Sequence, residues 1–168
     1  MIDNLFFTLT LLSALGCGLM AGVFFIFSNT VMSALARLQP PQGIAAMQSI
    51  NRTILNPLFF VAFLGTAATS ILLAISLLWR WQQPGAVYLL AGSLLYLVGA
   101  ILVTIVFNVP MNEDLETVEP ESVEAANLWT RYLTNWTAWN HVRTVASFLG
   151  AVTFILALWQ SRIFDYHH

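Results

Sequence analysis

The chain has 168 residues, of which 58% are hydrophobic and only 8% charged, with a formal net charge of −2. A soluble domain carries about 25% charged residues, so this composition excludes an ordinary water-soluble domain and points to an integral, multi-pass membrane protein. Lysine is absent and the arginines (Arg37, Arg52, Arg80, Arg131, Arg143 and Arg162) are scattered, so no basic patch marks a nucleic-acid partner. Cys17 is the sole cysteine, which excludes an intrachain disulfide and a cysteine metal cluster.

A helix needs about 20 apolar residues to cross a hydrocarbon core. Four stretches meet that length: residues 5–27, 57–79, 86–109 and 139–159. No basic residue precedes the first, and its apolar run exceeds a signal-peptide core, so it reads as a retained helix. Within it Ala14, Gly18 and Gly22 recur every four residues, a small-residue face suited to close helix contact.

Pro40 and Pro41 then break the chain, and residues 43–54 read as a short amphipathic helix lying at the membrane interface. Asn56 is placed to cap the second span, with Pro57 as its first residue. "RWQQPG" makes a tight connection to the third span. "NVPMNEDLETVEPES" reads as an acidic loop, after which residues 121–138 resume as a helix leading into span four. No repeat or second domain is visible. The expected architecture is all-α: one four-span transmembrane domain over residues 1–168, with a short interfacial helix between spans one and two and a long helical lead-in to span four.

With four antiparallel spans, the end of span one, the start of two, the end of three and the start of four share one membrane face. The unusual polar residues lie at those four ends: Ser28 and Asn29; Asn51, Arg52 and Asn56; Asn108, Asn112 and Glu113; Asn140, His141 and Arg143. The opposite face carries little beyond Arg80, Gln82, Gln83 and Arg162. Trp129, Tyr132, Trp136, Asn140 and Arg143 recur every three or four residues and form one stripe on a continuous helix, with Trp139 beside them. An aromatic wall leading to a polar floor suits a flat apolar ligand bearing one or two oxygens.

Plainer readings stand beside this one. Tryptophan is enriched at membrane interfaces as an anchor, the account that best suits Trp79, Trp129 and Trp159. Asn51, Asn56 and Asn112 suit caps and turns. Arg143 could snorkel to the headgroups, and His141 alone is more often a hydrogen-bonded interface residue. Ionisable groups at membrane depth are expensive, however, and usually face a bundle interior or a cavity.

"FSNTVMSAL", "MQSINRTILNPLF", "FNVPMNEDL" and "WTRYLTNWTAWNHVRT" resemble, in order and spacing, the anthrone oxygenase-like family of small four-helix membrane proteins, over nearly the whole chain. The resemblance implies that Asn51, Arg52, Asn56, Asn108, Asn112, Trp136, Asn140, His141 and Arg143 form a shared polar set. It also implies oxidation of an anthrone-like or other phenolic aromatic by O2, without a metal or flavin. In that chemistry His141 is the expected base, Arg143 and the Asn140 amide stabilise the oxyanion, and Glu113 is the alternative base. Asn51, Arg52, Asn56, Asn108, Asn112, Glu113, Trp129, Tyr132, Trp136 and Trp139 then line the substrate site.

Two alternatives remain open from residue types. A metal-dependent redox protein could recruit Glu113, His141 and asparagine oxygens, although the usual motifs need two histidines or a histidine–carboxylate cluster. His167 and His168 sit apart in the terminal tail. A non-catalytic protein could use the same slot for a quinone or lipid, or its helices for a partner, a second copy included. Arg37 and Arg131 balance Arg80 and Arg162 across the membrane, so the positive-inside rule is silent. The short tails and short Arg80 loop suggest that both termini face the cytoplasm.

Overall fold

The computed structural model describes residues 2–165, and the side chains of residues 4–161. Arg162, His167 and His168, named above from sequence, have side chains outside that description. Five helices make up the described chain. Helix α1 runs Ile2–Ile26, continues through a π-helical stretch, Phe27–Val31, and ends with Met32–Leu35. Helix α2 is Pro40–Ile54 and α3 is Pro57–Arg80. Helix α4 starts as Ala86–Tyr96, passes through two π-helical stretches, Leu97–Leu102 and Thr104–Asn108, and finishes as Val109–Thr117. Helix α5 is Val123–Asp165.

Local chemistry explains the boundaries. Pro40 lacks the N–H that would continue α1, yet it and Pro57 suit the first turn of the helices they open, where that donor is not needed. Asn56 caps α3 as expected, its Oδ1 accepting from the Phe59 N–H at 3.0 Å. The acidic segment departs from expectation. It is helical through Thr117, and Pro110 stands inside a continuous α4 rather than opening a loop. A proline ring clashes with the carbonyl four residues earlier; the π-helical stretch just before Pro110 shifts that hydrogen-bond register, which accommodates the ring.

Four helices are long and apolar enough to cross a membrane: Asn4–Leu35, Pro57–Arg80, Ala86–Thr117 and Val123–Ser161. The protein is therefore an integral membrane four-helix bundle. Its members differ in length. At 1.5 Å per residue, the 43 residues of α5 extend about 65 Å, roughly twice a hydrocarbon core. Helices α1 and α4 also run beyond the spans read from hydropathy.

The overhang is covered by α2. One face of this helix packs on protein: Ile44 and Met47 are fully buried against Leu115 of α4 and Trp129 and Tyr132 of α5. Gly43 permits the approach, since a Cβ there would stand 2.9 Å from the Trp129 ring. Gln48 Nε2 donates to the carbonyls of Leu115 and Val118, satisfying the end of α4. Two apolar cores result, one within the bundle around Cys17, Met20, Phe24, Tyr96 and Phe154, the other in this cap.

The small-residue face also differs from expectation. Ala14 is buried, but Gly18 and Gly22 are exposed, with nothing within 4 Å of a Cβ built on either. The close contact falls on Gly16, where a Cβ would stand 1.9 Å from Thr66 Oγ1 of α3.

Candidate functional site

The stripe on α5 is buried along its length: Trp129, Tyr132, Trp136, Asn140 and Arg143 are each at most 6% exposed. Trp129 is thus a cap-core residue, not the interfacial anchor read from sequence, whereas Trp79 and Trp159 are open to the surroundings. The three aromatic rings stack in a column, Trp129 to Tyr132 at 5.6 Å and Tyr132 to Trp136 at 5.8 Å between centroids. Asn112 of α4 ties the column down. Its Oδ1 accepts from Tyr132 OH at 2.8 Å and from Trp136 Nε1 at 2.7 Å. Asn51 of α2 lies beside the same tyrosine hydroxyl.

Below the column, where the cap core meets the bundle core, three helices meet in a polar cluster. Asn140 Nδ2 donates to the Phe24 carbonyl at 2.6 Å and to Ser28 Oγ at 2.5 Å, joining α5 to α1. Its Oδ1 accepts from an Arg143 terminal nitrogen at 2.6 Å. The other terminal nitrogen donates to Thr104 Oγ1 of α4 at 3.1 Å. Asn108, one turn beyond Thr104, donates to the Trp136 carbonyl at 3.2 Å. The guanidinium lies over the Phe24 ring at 4.5 Å and the Trp136 ring at 5.2 Å.

No carboxylate pairs with Arg143 among the described residues. Its charge rests on neutral oxygens and two aromatic faces, partners that individually contribute about 1–3 kcal/mol. Arg143 Nε and Asn108 Oδ1 are buried with no hydrogen-bond partner among the described residues. A desolvated cation without a counter-charge is a site for a negative one. The cluster therefore presents a buried positive charge between two aromatic faces.

The remaining candidates lie elsewhere. His141 is exposed on the outer side of α5, away from the cluster. Glu113 is exposed at the membrane-distal end of α4. Arg52 forms an exposed ion pair with Glu116 and so bridges α2 to α4. Asn56 is the α3 cap. Trp139 stacks face to face on Phe107 at 3.6 Å. No group of three His, Cys, Asp or Glu side chains comes together among the described residues.

Two participants were absent from the sequence-derived set. Ser28 was visible only as one more polar residue at a helix end, and Thr104 was not singled out. Thr104 and Asn108 are four apart, as are Asn108 and Asn112, so one α4 face carries all three. Both Ser28 and the stretch from Thr104 to Asn108 lie in π-helical segments, which are frequent at functional sites.

The aromatic wall is a filled column, not the open slot inferred from sequence. Cavities of about 450 and 580 Å³ open instead at the opposite end of the bundle. A family model described as anthrone oxygenase matches residues 58–153, which include Asn108, Asn112, Trp136, Asn140 and Arg143. No curated protein and no solved structure matches the chain.

Proposed function

Because the chain belongs to the anthrone oxygenase family, we propose that it oxidises an anthrone-like or other phenolic aromatic molecule with O2 at the Arg143 cluster. The observation that carries this reading is the buried guanidinium between the faces of Phe24 and Trp136, with no carboxylate and no Nε partner among the described residues. An anthrone carries an acidic C–H conjugated to its carbonyl, and loss of that proton leaves an electron-rich oxyanion. Arg143, oriented by Asn140 and Thr104, stabilises that oxyanion in a region of low dielectric, where such an interaction is strong. The proton leaves to water. The carbanionic carbon then reduces O2; one oxygen atom becomes the new carbonyl and the other leaves as water. The reaction consumes one O2 per anthraquinone and draws on no other reductant.

His141 has no part in this scheme, because it does not share a side of the helix with Arg143. A ligand reaches the guanidinium by taking the place of a ring now stacked there, Trp136 being the ring nearest the cap. The test is O2 uptake by purified protein with anthrone, quinone formation being followed in parallel. Arg143→Gln should lower the enzyme-dependent rate at least about 100-fold, the usual effect of removing an oxyanion donor. Equal rates for the two proteins would overturn the reading.

A further inference from the structure

The Trp136 ring occupies the place a ligand needs, 5.2 Å from the Arg143 guanidinium, and its surroundings decide how that place is vacated. Its indole N–H is held by Asn112 Oδ1. The rings of Tyr132 and Phe27 lie against it at 5.8 and 6.1 Å between centroids. A close-packed interior has no room for a displaced indole, so the ring leaves the guanidinium only when one wall of the cap core moves.

The walls are not equally fixed. Helices α1, α4 and α5 continue into the bundle core and are anchored there, whereas α2 contributes no residue to it. Non-helical breaks bound α2 on both sides, residues 36–39 before it and Leu55 and Asn56 after it. Pro40 and Pro57 begin the helices that follow these breaks and keep them from being absorbed into one longer helix. The helix is thus a short rod with a hinge at each end.

What holds the rod down is slight. Ile44 and Met47 bury their side chains in the cap core, and Gln48 donates to the carbonyls of Leu115 and Val118. The ion pair of Arg52 with Glu116 is exposed, a kind that contributes little. Asn51 favours opening: its Nδ2 is buried near the Tyr132 hydroxyl with no hydrogen-bond partner among the described residues, and water would satisfy it.

We propose that α2 is a lid over the Arg143 cluster. It swings from α4 and α5 as a unit, and Trp136 moves off the guanidinium into the space released. Closed, the ring fills the site; open, the cluster is reached from the cap side. The inference rests on the proposed function only in taking Arg143 as the destination of the ligand.

Two slow chemical probes read the opening in wild-type protein in mild detergent. Met47 and Met20 are each 1% exposed, so in the closed state hydrogen peroxide reaches neither thioether. Peptide mass spectrometry should find Met47 sulfoxide forming at least about tenfold faster than Met20 sulfoxide, because a local opening costs less than unfolding the bundle. N-Bromosuccinimide, mapped in the same way, should oxidise Trp136. Gln48→Leu, with wild-type circular dichroism, removes the bonds to the end of α4 and should speed Met47 oxidation about tenfold. The decisive variant is Arg52→Cys with Glu116→Cys in a Cys17→Ala chain, the two thiols joined by a short bismaleimide that holds α2 to α4. Cross-linking should return Met47 to the rate of Met20, protect Trp136 and abolish anthrone turnover. The same variant capped with N-ethylmaleimide should behave as wild type. Met47 oxidation as slow as that of Met20, Trp136 oxidised equally with and without the cross-link, or full turnover after cross-linking would each overturn the lid. Wild-type protein that opens but turns over no anthrone would support the lid and count against the reaction alone.

Discussion

Arg143 and His141 stand two residues apart on one continuous helix and face opposite sides of it. Arg143 is buried in the three-helix cluster, and His141 is exposed on the outer surface of α5. Two residues turn a helix by about 200°, so no small ligand docked against one side can meet both. The pairing of base and oxyanion partner that "WNHVR" suggests as a string is undone by helical geometry.

His141→Ala therefore tests where the chemistry lies. Its turnover of anthrone should stay within about twofold of wild type, and its stability within about 0.5 kcal/mol, as for an exposed substitution. Oxygen consumption and a denaturation curve give both numbers. A large loss of rate would return the reaction to the outer face of α5.

Arg143→Met separates function from stability. It removes a buried charge that no carboxylate among the described residues balances, while retaining much of the side-chain volume. Replacing buried charge by packed apolar atoms is commonly neutral or stabilising. The thermal midpoint is expected at or above wild type while activity is lost. A fall in stability of about 3 kcal/mol or more would show that the guanidinium serves mainly to hold the helices together.

Asn140 acts through Arg143. Removing its amide by Asn140→Leu leaves the Ser28 hydroxyl and the Arg143 guanidinium without that partner. Each buried group so orphaned costs about 1–3 kcal/mol. Both the unfolding free energy and the turnover number should fall, with smaller losses for Asn140→Gln if the longer amide restores part of the network.

Asn112→Leu should loosen the aromatic column. One oxygen accepts from both Tyr132 and Trp136, so the substitution leaves two buried donors without that acceptor, at a cost of about 2–6 kcal/mol. A shift in tryptophan emission alongside the lower thermal midpoint would report the freed ring. The emission assignment uses Trp136→Phe as its reference.

The glycines of α1 offer a test of packing alone. Gly16→Ala places a methyl 1.9 Å from the Thr66 hydroxyl and should lower the thermal midpoint. Gly18→Ala and Gly22→Ala meet open space and should be neutral or stabilising by about 1 kcal/mol from helix propensity. The reverse order would mean that Gly18 and Gly22 form a helix contact after all.

The four spans, the Asn56 cap and the single helix face shared by Trp129 to Arg143 were legible in the sequence because they depend on local quantities. Hydropathy over some twenty residues, a capping side chain three residues from its donor and a repeat of three or four are all properties of one stretch of chain. The tertiary structure alone decided which groups meet across helices. It selected Gly16 over Gly18, brought Thr104 and Ser28 to the cluster, packed one face of α2 onto α4 and α5, and left His141 outside. Those outcomes depend on how far each helix is rotated and slid against its neighbours. In a bilayer the lipid tails and the bundle interior are similarly apolar, so hydrophobic pattern does little to set that rotation, and packing and interhelical hydrogen bonds set it instead.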